Sequence, residues 1–104
     1  MFKHSCNPID SRESEITGAA EIFKAMGDLT RLRIINKLST GRKNVSELAE
    51  AIDMTQSAVS HQLSLLKKLR IVRSAREGKS IYYYLDDDHV ADLLYQCLEH
   101  VRHE

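Results

Sequence analysis

The sequence has few of the features that mark membrane, secreted or unstructured chains. Proline occurs once in 104 residues and there is no low-complexity tract, which indicates a globular chain. There is no run of about 18 apolar residues, and the start, MFKHSCNPID, lacks the apolar core of a signal peptide. We therefore expect a cytoplasmic protein, where its two cysteines, Cys6 and Cys97, stay as thiols rather than forming a disulfide framework.

The chain also lacks a net charge, but its charges are unevenly distributed. Residues 54–85 carry six basic side chains against Glu77 alone, a net charge of +5, whereas residues 86–104 have a net charge of −5. The basic segment suits a polyanion and the acidic segment suits a cation. Two solvated faces of opposite sign would give the same pattern, so charge alone does not decide between these interpretations.

The hydrophobic pattern predicts one domain, residues 13–104, after a flexible tail of residues 1–12. Apolar side chains recur at helical spacing in five segments, and the last four of these have a residue suited to start a helix at their beginning. These helices begin near Glu13, Asp28, Asn44, Thr55 and Asp86. Before the last helix, two β-like segments flank the turn at residues 77–79, which is typical of a hairpin. The order is α-α-α-α-β-β-α, a mainly α fold with a small β-hairpin.

This order is that of a winged helix-turn-helix, whose recognition helix would be about residues 55–69. The N-terminal part of a recognition helix contacts base edges, where amide, hydroxyl and imidazole groups can hydrogen-bond. Basic side chains at the helix end and on the hairpin suit phosphates. The candidate DNA contacts are Gln56, Ser57, Val59, Ser60, His61, Gln62, Lys68, Arg73, Arg76 and Lys79.

Three histidines in the last helix, with Asp87 just before it, predict a metal site. Eleven residues separate His89 from His100, which returns both to one helix face but about 16 Å apart along the axis. Zinc–nitrogen bonds are only about 2 Å long, so one helix cannot bring both ends to one ion, whereas two antiparallel copies can. We therefore predict a homodimer with two sites. Each site takes Asp87 and His89 from one chain and His100 and His103 from the other.

Three imidazoles and one carboxylate suit zinc, with cobalt or nickel as alternatives. The plainer interpretation is that these are ordinary surface histidines on an acidic helix. That interpretation would suit a lone histidine, but it explains less well four potential ligands that are paired at the two ends of one helix. A zinc hydrolase is disfavoured because four protein ligands leave no open position for water. We therefore expect no enzymatic activity.

Two strings of residues carry a family resemblance. They are FKAMGDLTRLRIINKLSTG and, downstream, ELAEAIDMTQSAVSHQLSLLKKLRIVRSAREGKSIYYYL. In this order and spacing the chain, from about Ala20 to the C-terminus, resembles the ArsR/SmtB family of bacterial metal-sensing repressors, and the four candidate ligands match the family's C-terminal-helix zinc motif. The resemblance implies a homodimer whose apo form binds a palindromic operator and which releases DNA when metal binds, derepressing metal-efflux genes. It also implies that His100 donates a hydrogen bond to a backbone carbonyl near Arg70, which couples the two sites.

The cysteines leave one alternative open. The family's other site type uses cysteines in the third helix, and NVSELAEAI has none there, which disfavours a thiolate site for cadmium, lead or arsenite. Cys6 could join His4 in an accessory site, and Cys97 is predicted as a small core residue. The alternative function is a metal-independent winged-helix DNA-binding regulator that responds to thiol oxidation through Cys6 and Cys97.

Overall fold

The fold is known from a computed structural model, and the structure describes residues 12–103. The elements are α1 (Glu13–Met26), α2 (Leu29–Leu38), α3 (Val45–Ile52), α4 (Gln56–Lys68), β1 (Val72–Glu77), β2 (Ser80–Leu85) and α5 (His89–Arg102). The predicted order of five helices and one hairpin is therefore confirmed. Within residues 12–103, no helix combines the length and the apolar character needed to cross a membrane. The predicted tail falls almost wholly on residues 1–11, outside the described range.

Local side-chain caps start three of the helices. The Asp28 carboxylate accepts a hydrogen bond from the Arg31 amide at 3.1 Å, and the Thr55 hydroxyl accepts one from the Ala58 amide at 3.1 Å. Asn44 and Glu47 form a reciprocal capping box at the start of α3. These acceptors bind backbone amides that have no partner within the helix. Because such capping residues are recognisable in a sequence, the three helix starts were predicted correctly.

A sharp turn joins α3 to α4 and sets the helix-turn-helix. Asp53 ends α3 in the left-handed conformation, with φ 57° and ψ 54°. Aspartate tolerates this region better than most residues because its short polar side chain can bond locally. The chain reverses there within three residues, so α4 packs across α3 with its polar side outward.

The hairpin is antiparallel, and its register pairs Val72 with Leu85 and Glu77 with Ser80. The strand β1 runs one residue further than the predicted 71–76, so that only Gly78 and Lys79 form the turn. Gly78 has φ 66°, a conformation that glycine adopts without a steric penalty. Lys43, in the α2–α3 segment, adds a bridge to Tyr83 and so tethers the hairpin to the helical part.

The core lies where α2, α3, α4 and the hairpin meet. Its largest fully buried side chains are Ile34, Ile35, Leu48, Val59, Leu63, Leu66, Ile71 and Val72. From α5, Leu94 is buried in this core, and Val90, Leu93 and Leu98 pack against it while half-buried. One side of the last helix is thus held to its own chain.

Apolar side chains of α1 and α5 stay exposed in the single chain. Phe23 of α1 is 60% exposed, and Tyr95 and Val101 of α5 are 56% and 65% exposed. The prediction that Cys97 is a core residue is wrong for the single chain, because Cys97 is exposed beside Phe23. The apolar pattern of these two helices marked a buried face, but one chain does not bury it.

Replacing Asn44 by alanine removes the acceptor that starts α3. We expect the free energy of unfolding to fall by about 1 kcal/mol, measured by urea denaturation. Ser46→Ala, at an exposed position in the same helical turn, is the control and should change stability by less than about 0.5 kcal/mol. Equal losses in the two variants would contradict the role of the capping box.

Candidate nucleic-acid interface and metal centre

The first two turns of α4 present polar side chains to solvent. Gln56, Ser57, Ser60 and His61 are all exposed, while the opposite side of the helix packs into the core. The structure thus brings together four of the predicted base contacts on one outward surface. Their amide, hydroxyl and imidazole groups remain available to hydrogen-bond to base edges.

Val59 was predicted as a DNA contact, and the structure contradicts this. Its side chain is 0% exposed and lies in the core with Leu63 and Leu66. Three and four residues separate neighbours on one helix face, so Val59 falls on the same inward stripe as Leu63. Val59 therefore anchors the recognition helix rather than touching a ligand.

Gln62 is half-buried, and its amide oxygen is already engaged. Arg31 of α2 donates from Nε to Gln62 Oε1 at 2.9 Å, and the same arginine lies 4.0 Å from the Asp28 carboxylate. Only the amide NH₂ of Gln62 is left to donate elsewhere. Sequence reasoning missed Arg31 because 31 residues separate it from Gln62, and no local pattern reports such a pair.

The predicted phosphate contacts lie on exposed positions around α4 and the hairpin. Lys68, Arg73, Arg76 and Lys79 are exposed. The Arg73 guanidinium stacks over the Tyr84 ring, 4.5 Å from its centroid. Exposed arginine and lysine side chains are the usual donors to DNA phosphates, so these positions suit backbone contacts.

Asp87 and His89 meet at the start of α5. The Asp87 carboxylate accepts a hydrogen bond from the His89 amide at 2.9 Å, and its other oxygen lies 3.3 Å from His89 Nδ1. Asp87 precedes the helix, so its backbone is not held in the helical conformation and its carboxylate can turn toward His89. Both side chains are accessible, at 49% and 88% exposure.

The other two candidate ligands lie at the far end of α5. His100 is in the last helical turn and His103 is the C-cap residue. They line one shallow concavity together with Tyr95, Gln96 and Glu99. Both imidazoles are exposed and lie one turn apart on the same side of the helix.

No single chain unites the four candidate ligands. Across the described part of the chain, no three histidine, cysteine, aspartate or glutamate side chains come together closely enough to hold a metal ion. This agrees with the separation that the helical rise imposes. Each end of α5 nevertheless supplies half of a donor set, one carboxylate with one imidazole or two imidazoles. Such donors fit a divalent cation of the zinc type.

Arg70 lies beside the Asp87 end of α5. It follows α4 in the left-handed conformation, with φ 59°, and lines a groove together with Asp87 and His89. The next residue, Ile71, accepts a hydrogen bond from the Asp86 amide at 2.9 Å. The end of the recognition helix therefore touches one half of the donor set, whereas His100 of the same chain lies at the opposite end of α5.

The comparisons with known proteins agree with this architecture. The family model described as "Bacterial regulatory protein, arsR family" matches residues 28–74, which run from the start of α2 into β1. The matched range contains the whole helix-turn-helix.

Two relatives are similar over most of the chain. The HTH-type transcriptional regulator NmtR of Mycobacterium tuberculosis is 44% identical over 92% of this chain and 78% of its own length. The cadmium resistance transcriptional regulatory protein CadC homolog of Staphylococcus aureus is 39% identical over 92% of this chain and 74% of its own length. Both are transcriptional regulators by name.

One solved structure has the same fold along nearly the whole chain. It is the homodimeric winged helix-turn-helix DNA-binding domain of a possible ArsR-family transcriptional regulator from Mycobacterium bovis. Its TM-score is 0.81 at 28% identity, over 94% of each chain. The winged helix-turn-helix predicted from the sequence is therefore confirmed.

Val59→Ala should destabilise the protein because it removes two buried carbon atoms and leaves a cavity. We expect the free energy of unfolding to fall by about 2 to 3 kcal/mol, read from urea denaturation. The neighbouring exposed residue provides the control, since Ser60→Ala should stay within about 0.5 kcal/mol of the parent protein. An undiminished stability of Val59→Ala would show that this side chain is not part of the core.

Proposed function

The chain belongs to the ArsR family of bacterial DNA-binding transcriptional regulators, and from this we propose that it is a metal-responsive repressor acting as a homodimer. The observation that carries the proposal is the division of the candidate ligands. Asp87 and His89 lie at one end of α5, His100 and His103 lie at the other, and one chain does not join them.

The metal-free dimer binds operator DNA through α4 and the hairpin. The exposed polar side chains of the first turns of α4 read base edges in the major groove. The basic side chains of the α4 end and the hairpin contact the sugar–phosphate backbone. Two copies related by a two-fold axis read the two halves of a palindromic site.

The dimer forms through α1 and α5. Phe23 of α1 and Tyr95 and Val101 of α5 are large and exposed in the single chain. In α5, Cys97 is also exposed and Leu98 is half-buried. Antiparallel packing of two copies of α5 would remove this apolar surface from water, which favours association. The same packing sets the start of one α5 beside the end of its partner.

The effector is zinc or a similar divalent ion. Asp87 and His89 of one chain and His100 and His103 of the other would hold it between the two helices. Zinc fits three imidazoles and a carboxylate, and cobalt and nickel accept the same donors with added ligands. A bound cation would supply a cross-link between the protomers. The accessory site proposed for His4 and Cys6 falls outside the described residues.

The coupling between the two sites runs through the junction of α4 and α5. Asp87 and His89 share a groove with Arg70, which directly follows the recognition helix. The imidazole of His100 from the partner would meet this groove and donate its second N–H to a backbone carbonyl near Arg70, a bond typical of metal-ligating histidines. Metal and DNA then favour different dimer shapes, and operator affinity falls when metal binds. The genes released from repression would be those for metal efflux.

The thiol-responsive alternative has one observation in its favour, the exposure of Cys97 beside Phe23. Zinc titration of two variants distinguishes this alternative from the metal proposal. Stoichiometric zinc binding that survives Cys97→Ser and is lost in His89→Ala supports the metal proposal. Absence of tight zinc binding, together with an operator affinity that changes on oxidation in the parent protein but not in Cys97→Ser, supports the thiol alternative.

Mixed dimers test whether each site draws on both chains. His89→Ala and His103→Ala each damage both sites of their own homodimer, so neither variant alone should bind zinc tightly. A mixed dimer keeps one intact site, because His89 comes from one chain and His103 from the other. After subunit exchange we expect about a quarter of the parent protein's tight sites to return, measured by titration against a chromophoric chelator.

The matched control mixes His89→Ala with Asp87→Ala. Both changes lie in the same half of the donor set, so every mixed dimer has two damaged sites and no tight binding should return. Recovery in this control, or none in the first mixture, would contradict a site shared between chains.

His100→Asn tests the coupling. This variant should bind operator DNA like the parent protein when metal-free, but adding zinc should change its affinity far less than the roughly 5- to 150-fold loss typical of such coupling. Fluorescence anisotropy with a duplex from upstream of the gene, at fixed salt and with zinc, cobalt and nickel compared, measures this.

Gln96→Ala serves as the control because Gln96 lines the same concavity as His100 without being a predicted ligand. It should release DNA normally on zinc addition. Normal release by His100→Asn would refute the route through Arg70, and parent protein that binds no DNA in the metal-free state would refute the repressor itself.

A further inference from the structure

The outer face of the hairpin carries an ordered set of polar and aromatic side chains. In the observed register Arg73 lies opposite Tyr84, Ala75 opposite Tyr82 and Glu77 opposite Ser80, so these six residues share one face of the sheet. The other face carries Val72, Tyr83 and Leu85 toward the core. The outer face is therefore not needed to bury the hairpin.

Glu77 is the centre of this set. One of its carboxylate oxygens accepts a hydrogen bond from the Tyr84 hydroxyl, and the other lies 3.5 Å from Arg42 Nε. In the register Tyr84 pairs with Arg73 near the base of the hairpin, yet its hydroxyl reaches Glu77 at the tip. The hydrogen bond to Glu77 raises the pKa of Tyr84 above its ordinary value.

Arg42 connects this set to the helical part of the chain. It lies in the segment between α2 and α3, and its guanidinium stacks 3.7 Å from the centroid of the Tyr82 ring. The neighbouring Lys43 exchanges two backbone hydrogen bonds with Tyr83, at 2.8 and 3.2 Å. The tip of the hairpin is thus tied through Glu77 and Arg42 to the segment that leads into the helix-turn-helix.

A carboxylate at this position is unexpected for a DNA-binding wing. Glu77 follows Arg76 and lies next to the turn that contains Lys79, and it is the only acidic side chain in residues 54–85. Like charges repel, so a free carboxylate here would weaken contact with phosphates. Its two partners indicate another use for it.

We propose that Glu77 is a positioning residue for DNA binding, which holds the tip of the wing in its binding orientation by joining Tyr84 to Arg42. The proposal rests on the proposed binding of DNA by α4 and the hairpin. Glu77 itself touches no DNA. Its two contacts stop the hairpin from twisting about its base. The tip that carries Arg76 and Lys79 is then already ordered in the free protein, so DNA binding carries a smaller cost in conformational entropy.

The expected size follows from the contacts. An exposed ion pair contributes little free energy, so loss of the Glu77 contacts should weaken DNA binding by about threefold for each wing. A dimer presents two wings to one operator, and its affinity should fall by about tenfold.

The test is Glu77→Gln in the full chain. The variant removes a negative charge and keeps the side-chain shape, so simple electrostatics predicts tighter DNA binding, whereas our proposal predicts weaker binding. Fluorescence anisotropy with a duplex of about 40 base pairs from upstream of the gene, beside a scrambled duplex, measures the affinity. Glu50→Gln is the matched control, since Glu50 is exposed on α3 outside this set and its loss should not weaken binding.

A second readout needs no DNA. Ultraviolet titration of the tyrosines, with Tyr84→Phe to assign the signal, should show that Glu77→Gln lowers the pKa of Tyr84 toward its ordinary value. Thermal unfolding by circular dichroism should show that the variant remains folded. Weaker operator binding together with this pKa change supports the proposal.

Two results would overturn it. Unchanged or tighter binding by Glu77→Gln would mean that Glu77 only repels DNA or that Arg42, once released, contacts phosphate directly. An unchanged pKa of Tyr84 would mean that the Glu77 carboxylate does not lie beside the Tyr84 hydroxyl in solution. Failure of the parent protein to bind the upstream duplex would instead count against the repressor function, and the positioning role would fall with it.

Discussion

The rise of a single helix is the constraint on which the proposed switch depends. The two candidate ligand pairs lie at opposite ends of the 14 residues of α5, and a rigid α-helix does not bend to bring its ends together. In the proposed function a second chain is therefore needed to complete the candidate donor set. The same helix leaves large apolar side chains exposed and has only Leu94 fully buried in the core of its own chain. Metal binding and dimer formation would thus depend on one helix.

The recognition helix is anchored at its middle and just beyond its C-terminal end by contacts to other elements. At its middle, Gln62 accepts a hydrogen bond from Arg31 of α2. At its C-terminal end, Arg70 adopts the left-handed conformation and Ile71 bonds to Asp86, which leads into α5. A helix held in this way moves as a unit with its neighbours rather than alone. A change in how two α5 helices pack would therefore change the separation of the two recognition helices in a dimer.

The sequence predicted what local chemistry and periodicity determine. Helix starts followed from caps at Asp28, Asn44 and Thr55, whose partners lie three residues away. The two misassigned residues have different causes. Helical spacing alone places Val59 on the inward stripe with Leu63, although its sequence neighbours Ser57 and Ser60 are exposed. Cys97 is part of an apolar stripe that one chain leaves uncovered.

The division of the candidate donor set along α5 means that the number of metal sites would depend on the concentration of the protein in the cell. A site completed only by two chains exists only in proportion to the dimer, so its occupancy follows mass action in both the metal and the protein. At low chain abundance, dissociation would remove metal sites and DNA-binding surfaces together. The threshold at which such a regulator responds is then a property of its expression level as well as of Asp87, His89, His100 and His103.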